Sequence, residues 1–441
     1  MGAAMNDRST SASGRRRARI RRLAAAGAAL LGLSACDLGL TNPNAPSETD
    51  VINTPRGILT TAVGIQSQYA DNALVWVRAP ALVTDEWGTR PRALAADQSL
   101  VTGNPDPSYT LIADPFAAAY RIARTADILV ANAPKVGLGT GLQTGVVALA
   151  KLLKAMSLGN LSLQYERLPA TYGDAAAALP RAQVMDTVIA LLESARADLG
   201  TVTDADLASF RSQVLGTGFD LRSTTDAMLA RYFLLTGRYQ QALDAATRVS
   251  PTVVSTLAYP DPGINPIYNY GAVSQYVGAR RVLFTEAEPG DRRPAFWASR
   301  AVGVAGLPDS VFDFNRYGGA RNDPLPLYLP DEMKLIAAEA NVRLGNLPAA
   351  RTLVNAVRTQ CATGTTAEPA ACLPAIPDAA LDTPDKLLAQ ILQERRFELF
   401  GQGLRWEDLR RLSAYTAKRP AMQFLPYPQS ECDRNPSHPC S

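Results

Sequence analysis

Residues suited to covalent or acid–base chemistry are sparse in this chain. Its single histidine, His438, sits in a proline-rich tail, so neither a Ser-His-Asp nor a Cys-His nucleophilic arrangement is in prospect. No glycine-rich phosphate loop and no His-Glu-x-x-His pattern occurs, and no cofactor or metal is implied. The adjacent acids Asp85 and Glu86 suit glycoside hydrolysis only if two carboxylates flank a glycosidic bond, and neighbouring acids are common in any chain. Aromatic rings beside hydrogen-bonding groups are more promising, because the apolar C–H faces of sugars pack on flat rings. Trp76, Trp87, Arg90, Trp297 and Tyr317 lie in irregular stretches and are the candidate ligand contacts. Trp406 lies in a helical stretch and reads as core.

Cysteines and charge place the chain outside the reducing cytoplasm. Arg15 to Arg22 is a positive run, Leu23 to Leu33 is a short apolar stretch, and Leu33-Ser34-Ala35-Cys36 reads as a lipobox. The apolar run is too short to span a bilayer, so residues 1–35 read as a signal peptide. Cleavage there leaves Cys36 first, with acyl chains that tether the protein to a membrane; a plain secretory signal is the alternative. Residues 36–54 are polar and Pro-containing, as a tether requires. The leader holds seven arginines and one aspartate, so its removal turns a formal +3 into −3, and nothing favours nucleic acid as a partner. Four cysteines remain, Cys361, Cys372, Cys432 and Cys440. Three pairings are open, of which the local bridges 361–372 and 432–440 are the most economical. A zinc site is the rival, without ligand spacing around His438.

The elements that must position these residues are mostly helices. Helical spacing of apolar residues runs over Pro55–Trp76, Pro115–Ala133, Leu142–Tyr165 and Ala182–Leu199. An internal repeat follows: Ala230, Gly237 and Ala242 recur at the same spacing as Ala338, Gly345 and Ala350. Small residues let two antiparallel helices pack closely and the glycine turns between them, as in tetratricopeptide units. About four such pairs are expected, stacked so that residues 55–441 form a single domain. Between the two clear copies, residues 251–329 are rich in Pro, Gly and aromatics, with a strand expected at Arg281–Phe284 and a turn at Pro289–Asp291. Loops this long are usually functional.

The chain is organised around Leu387–Leu412. Thr383 suits an N-cap, Pro384 the first helical position and Asp385 the positive dipole end. Leu388, Ile391, Leu392, Arg395 and Leu399 share a stripe, Gly401 and Gly403 end the helix, and Glu407 faces Arg410 and Arg411 in a second short helix. Two readings are open: a solvated amphipathic helix, or a charged network clamping the pair to its neighbours. Glu394, Arg395, Arg396, Glu398, Leu399, Gly403, Arg405, Asp408, Leu409 and Arg411 resemble the C-terminal signature of the SusD/RagB family, E-R-R-x-E-L-x-x-E-G-x-R-x-x-D-L-x-R. Gln402 stands where that pattern has an acid. Leu168-Pro169, Asp291-Arg292-Arg293 and the tail from Phe424 to Pro436 are similar to further family steps.

The resemblance implies a mostly α fold of tetratricopeptide-like pairs with a long loop-rich region and short strands. It implies a non-enzymatic, lipid-anchored outer-membrane protein at the cell exterior. Such a protein binds an oligosaccharide or peptide and passes it to a TonB-dependent, SusC-like transporter. Asp37 after the lipid cysteine is a feature that marks inner-membrane retention in some bacteria. A tetratricopeptide envelope scaffold and an all-α glycoside hydrolase are the alternatives.

Overall fold

The computed structural model describes residues 52–173, 176–216, 218–299, 311–362, 367–412 and 422–435. Cys36, His438 and Cys440 lie outside the described residues. Helix α1 (Pro55–Asp71) starts at Thr54, whose hydroxyl accepts from Gly57 N–H at 3.1 Å. The continuous helix expected to Trp76 breaks at Asn72, which leaves helical backbone angles and whose side chain donates back to Gln68 O. The chain then resumes as α2 (Ala73–Val83). A short helix α3 (Ala95–Thr102) precedes α4 (Thr110–Asn132). Pro115, read as a helix start, lies inside α4, because Ile112 N–H already closes a tight turn on Tyr109 O.

Helix α5 (Thr140–Gln164) is the centre of the scaffold. Its length and apolarity would suffice to cross a membrane, but here they serve burial: α1, α4, α6 (Arg181–Gly200) and α7 (Leu221–Leu235) surround it. Gly159 makes the α5–α7 approach feasible, since a Cβ there would lie 1.9 Å from the Tyr232 hydroxyl. The strands β2 (Arg167–Pro169) and β3 (Ala178–Pro180) pair between α5 and α6.

Both copies of the repeat form the helix pairs expected. Helix α7 turns at Gly237 (φ 74°) into α8 (Tyr239–Arg248). Helices α9 (Pro330–Arg343) and α10 (Leu347–Arg358) turn at Gly345 (φ 84°). Left-handed angles of this kind favour glycine. Ala230, Ala242, Ala338 and Ala350 are all inaccessible. Although distant in sequence, the copies adjoin in space, with α8 against α9. They are also tied by the buried guanidinium of Arg231, which donates twice to Glu332 at 2.7 Å. Helix α11 (Pro384–Glu398), capped by Thr383 as expected, packs on α9 and α10. The short α12 (Arg405–Arg411) follows.

The irregular stretches are joined by sheet. Strands β1 (Trp87–Thr89), β5 (Val277–Arg280), β7 (Val311–Phe314) and β6 (Ala298–Ser299) form an antiparallel sheet in the order β1-β5-β7-β6, while β4 (Thr256–Leu257) pairs with β8 (Leu325–Pro326). The strand expected at Arg281–Phe284 is β5, four residues earlier; Val282–Thr285 is a helical turn, because Arg281 already adopts right-handed helical angles.

Candidate functional site

The sheet brings the stretch after α2 onto the 251–329 segment, and a cavity of about 650 Å³ opens at their junction. Arg90, Arg92, Tyr268, Gln275, Asp313 and Phe314 supply its chemistry. Arg90 N–H extends the β1–β5 pairing by donating to Tyr276 O, and Ala93 N–H closes a turn on Arg90 O at 2.9 Å. Pro91 takes the second turn position, where its fixed φ is favourable, so both arginines leave one turn beside the cavity. The Arg90 guanidinium reaches past the middle strand to pair with Asp313 on β7. That reach needs Gly278: a Cβ there would lie 2.4 Å from Phe312 O and 3.0 Å from Arg90 Nη2. Gly278→Ala is therefore expected to cost about 1–3 kcal/mol by overpacking and to disrupt the Arg90–Asp313 pair. Urea unfolding checks the first effect, and an unchanged midpoint would refute it.

Non-glycine residues with left-handed backbone cluster around this sheet: Asp85 (φ 63°), Gln275 (φ 56°) and Tyr317 (φ 56°). Such conformations cost energy unless surrounding contacts impose them. Asp85 is held by an ion pair to Arg280, and Tyr317 by a 2.5 Å bond from its hydroxyl to Ala367 O.

Of the candidate ligand contacts, Arg90 lines the cavity and the aromatics do not. Trp87 is 2% exposed and Trp297 1% exposed; Trp87 packs on Phe314 with ring centroids 5.0 Å apart, and Trp297 on Tyr317 at 5.0 Å. Trp297 also donates its indole N–H to Phe397 O at 2.6 Å. Trp76 stacks on Tyr69 beneath α2. Trp76, Trp87, Trp297 and Tyr317 are thus buried by neighbouring side chains and none lines this cavity, while Trp76 borders a small separate void with Tyr69 and Arg231. Irregular backbone marked them as loop residues, but here the loops fold over a core of their own. Of the lining residues, Tyr268 and Phe314 belong to the aromatic-rich 251–329 segment. Arg92, Gln275 and Asp313 carried no periodicity and were missed.

The C-terminal helix pair seats this site on the scaffold. Of the two open readings, the charged network is the one realised. Arg293 is 1% exposed and donates to Asp291 at 2.8 Å, Glu394 at 2.5 Å and Glu398 at 3.1 Å. Arg358 links Glu394 to Glu288. Arg395 meets Asp408 at 2.7 Å, and Arg396 meets Glu286 at 2.5 Å. Glu407 pairs with Arg410 as expected, but Arg411 turns instead to Asp408 and to Glu339 of α9. Arg405 is half-buried and donates to Leu392 O; loss of hydration first, then nearby Arg396, lowers its pKa to about 10. The turn between the helices touches the site strand directly. Gly401 N–H donates to Glu86 at 3.3 Å, and a Cβ on Gly401 would meet the Trp87 indole at 3.3 Å. A Cβ on Gly403 would lie 2.8 Å from Trp76 O. Gln402, in place of the pattern's acid, lines a small void beside Trp76 and Arg231.

Cys361 and Cys372 are bridged, as the economical pairing predicts. Cys432 is disulfide-bonded as well. Among the described residues no group of His, Cys, Asp or Glu is arranged to hold a metal. The tail folds back on the scaffold: Leu425 N–H donates to Gln164 O, and the Arg410 guanidinium carbon lies over Phe424, 4.0 Å from the ring centroid. A second cavity of about 570 Å³ lies there, between Asn104, Arg167 and Phe424.

Comparison with known proteins follows the same lines. The SusD family model matches residues 318–423. A search of curated protein sequences finds no match. Among solved structures, a SusD superfamily protein from Bacteroides thetaiotaomicron VPI-5482 matches with TM-score 0.67 and 19% identity, over 87% of this chain and 98% of that one. A laminarin-binding SusD-like protein matches with TM-score 0.64 and 16% identity, over 89% and 98%. Surface glycan-binding protein A from Bacteroides uniformis matches with TM-score 0.65 and 15% identity, over 87% and 99%. Residues 318–423 thus match the SusD family model, and the fold is the one seen in these SusD-like structures.

Proposed function

We propose that this protein is a cell-surface binding lipoprotein that captures an oligosaccharide and delivers it to a TonB-dependent outer-membrane transporter. Cys36 would carry the lipid anchor, and residues 55–441 would act as one binding domain. The observation that carries this reading is the cavity at the β1–β5–β7 junction, where arginine, carboxylate, amide and aromatic groups converge on a rigid helical scaffold. Its setting in the SusD fold and the glycan-binding names of two structural neighbours support the same reading.

Capture without cleavage fits the chemistry of the cavity better than hydrolysis does. Glycoside hydrolysis takes two carboxylates on either side of the scissile bond, whereas Asp313 is the one carboxylate among the cavity's lining residues. Asp85 is engaged by Arg280, and Glu86 is buried under Gly401. An envelope scaffold would have no use for such a cavity.

The test is titration calorimetry of the mature chain against an oligosaccharide panel that includes laminarin fragments, with reducing ends assayed in parallel. Saturable binding without new reducing ends is expected, as is co-isolation from envelopes with a β-barrel transporter. Silence across the panel, or accumulating reducing ends, would overturn the reading.

A further inference from the structure

The charge of the cavity narrows the class of ligand. Two arginines and one aspartate line it, and every other lining residue is neutral, so the cavity is net positive within a mature chain of net negative charge. The two arginines are also less satisfied than their buried counterparts elsewhere. Arg231, Arg293 and Arg411 each aim two or more donors at carboxylates. Arg90, with a side chain only 10% exposed, makes one such bond, to a half-exposed Asp313, and its buried Nε has no partner. Arg92, exposed at the end of the same turn, makes no hydrogen bond or ion pair with the described residues. A planar guanidinium with unused donors matches a carboxylate with two parallel bonds. Tyr268 and Phe314 offer apolar surface beside them for a ring face.

We propose that this cavity selects a carboxylated oligosaccharide, one built with uronic acid residues, and that Arg92 together with Arg90 takes the carboxylate. The inference rests on the capture reading and deepens it.

The experiment is calorimetry with tri-galacturonate, its fully methyl-esterified form, a neutral laminarin trisaccharide and a glutamate tetrapeptide. The uronate is expected to bind about ten-fold more tightly than its ester, as one charge-assisted contact is worth about 1.5 kcal/mol or more, and to weaken as salt is raised. Arg92→Gln is expected to erase that preference without shifting the melting temperature, since Arg92 is exposed and makes no hydrogen bond or ion pair with the described residues. Equal binding of uronate and ester, an unaltered preference in Arg92→Gln, or tighter binding of the peptide would overturn the proposal. Equal binding of acidic and neutral sugars would still leave glycan capture standing. Binding of no saccharide at all would remove both.

Discussion

Replacing Arg293 by methionine is expected to destabilise the protein by about 3–5 kcal/mol, the cost of leaving a buried charge cluster without its cation. Arg293 comes from the irregular segment, whereas Glu394 and Glu398 come from α11. The three carboxylates around it are shut away from water, with Asp291 1% exposed and both glutamates inaccessible. Burial holds the Glu398 carboxyl well above its ordinary range even with Arg293 beside it, so these acids are costly to keep charged in this interior. Taking the guanidinium away removes the cation on which Asp291 and Glu398 rely and leaves Glu394 to Arg358 and Gln390 alone. Lysine restores the charge but not the planar fork that serves three acceptors, so Arg293→Lys should recover only part of the loss. Combining Arg293→Met with Glu394→Leu and Glu398→Leu should recover most of it, because apolar replacements of a whole buried cluster are tolerated far better than a broken one. Urea unfolding decides this. A loss below about 1 kcal/mol in the single variant, the scale of an exposed pair, would mean that the cluster contributes nothing beyond surface electrostatics.

That cluster also marks where sequence reading succeeds and where it stops. The C-terminal pair was legible because each local signal agreed: Thr383 as cap, Pro384 at the first position, and Gly401 and Gly403 with φ of 70° and 77°. The repeat was legible for the same reason, since Ala230–Gly237–Ala242 and Ala338–Gly345–Ala350 encode close approach and a left-handed turn at fixed spacing. The sheet was not. Its strands are two to four residues long and pair positions as distant as Trp87 and Ala279, so no periodicity had length enough to register. The burial of the four aromatic candidates follows from this. Without the sheet, nothing in the sequence indicates that Trp87 and Trp297 face inward while Asp313, two residues from buried Val311, faces out. Arg90 is a sequence candidate because it lies in an irregular stretch, and the structure places it on the cavity wall. Its partner on β7 emerges only from the register.

Replacing Glu86 by glutamine is expected to remove a pH-dependent loss of stability that the native chain carries. Glu86 immediately precedes β1, its carbonyl accepts from Arg280 N–H at 2.9 Å, and its side chain accepts from Gly401 N–H. One carboxyl oxygen is buried without a partner. Burial raises this carboxyl from 4.5 to about 7, outweighing the opposing pull of Arg405 and the Gly401 N–H. In the unfolded chain the group gives up its proton near pH 4.5, while in the folded chain it keeps it to about pH 7. Between those values the folded state binds more protons, so stability falls as pH rises and the decline ends above the folded value. At about 1.4 kcal/mol per pH unit, the fall over this span approaches about 3.5 kcal/mol. Glutamine keeps the oxygen that accepts from Gly401 and has no charge to expose. The stability difference between Glu86→Gln and the native chain should therefore grow in the variant's favour from pH 5 to pH 8, by up to that amount. A difference that stays constant across this range would show that Glu86 is ionised in the folded protein throughout. Because Glu86 joins the signature turn to the strand that leads into Arg90, its ionisation above pH 7 should also loosen the edge proposed to bind ligand, and affinity should fall over the same interval in the native chain but not in the variant.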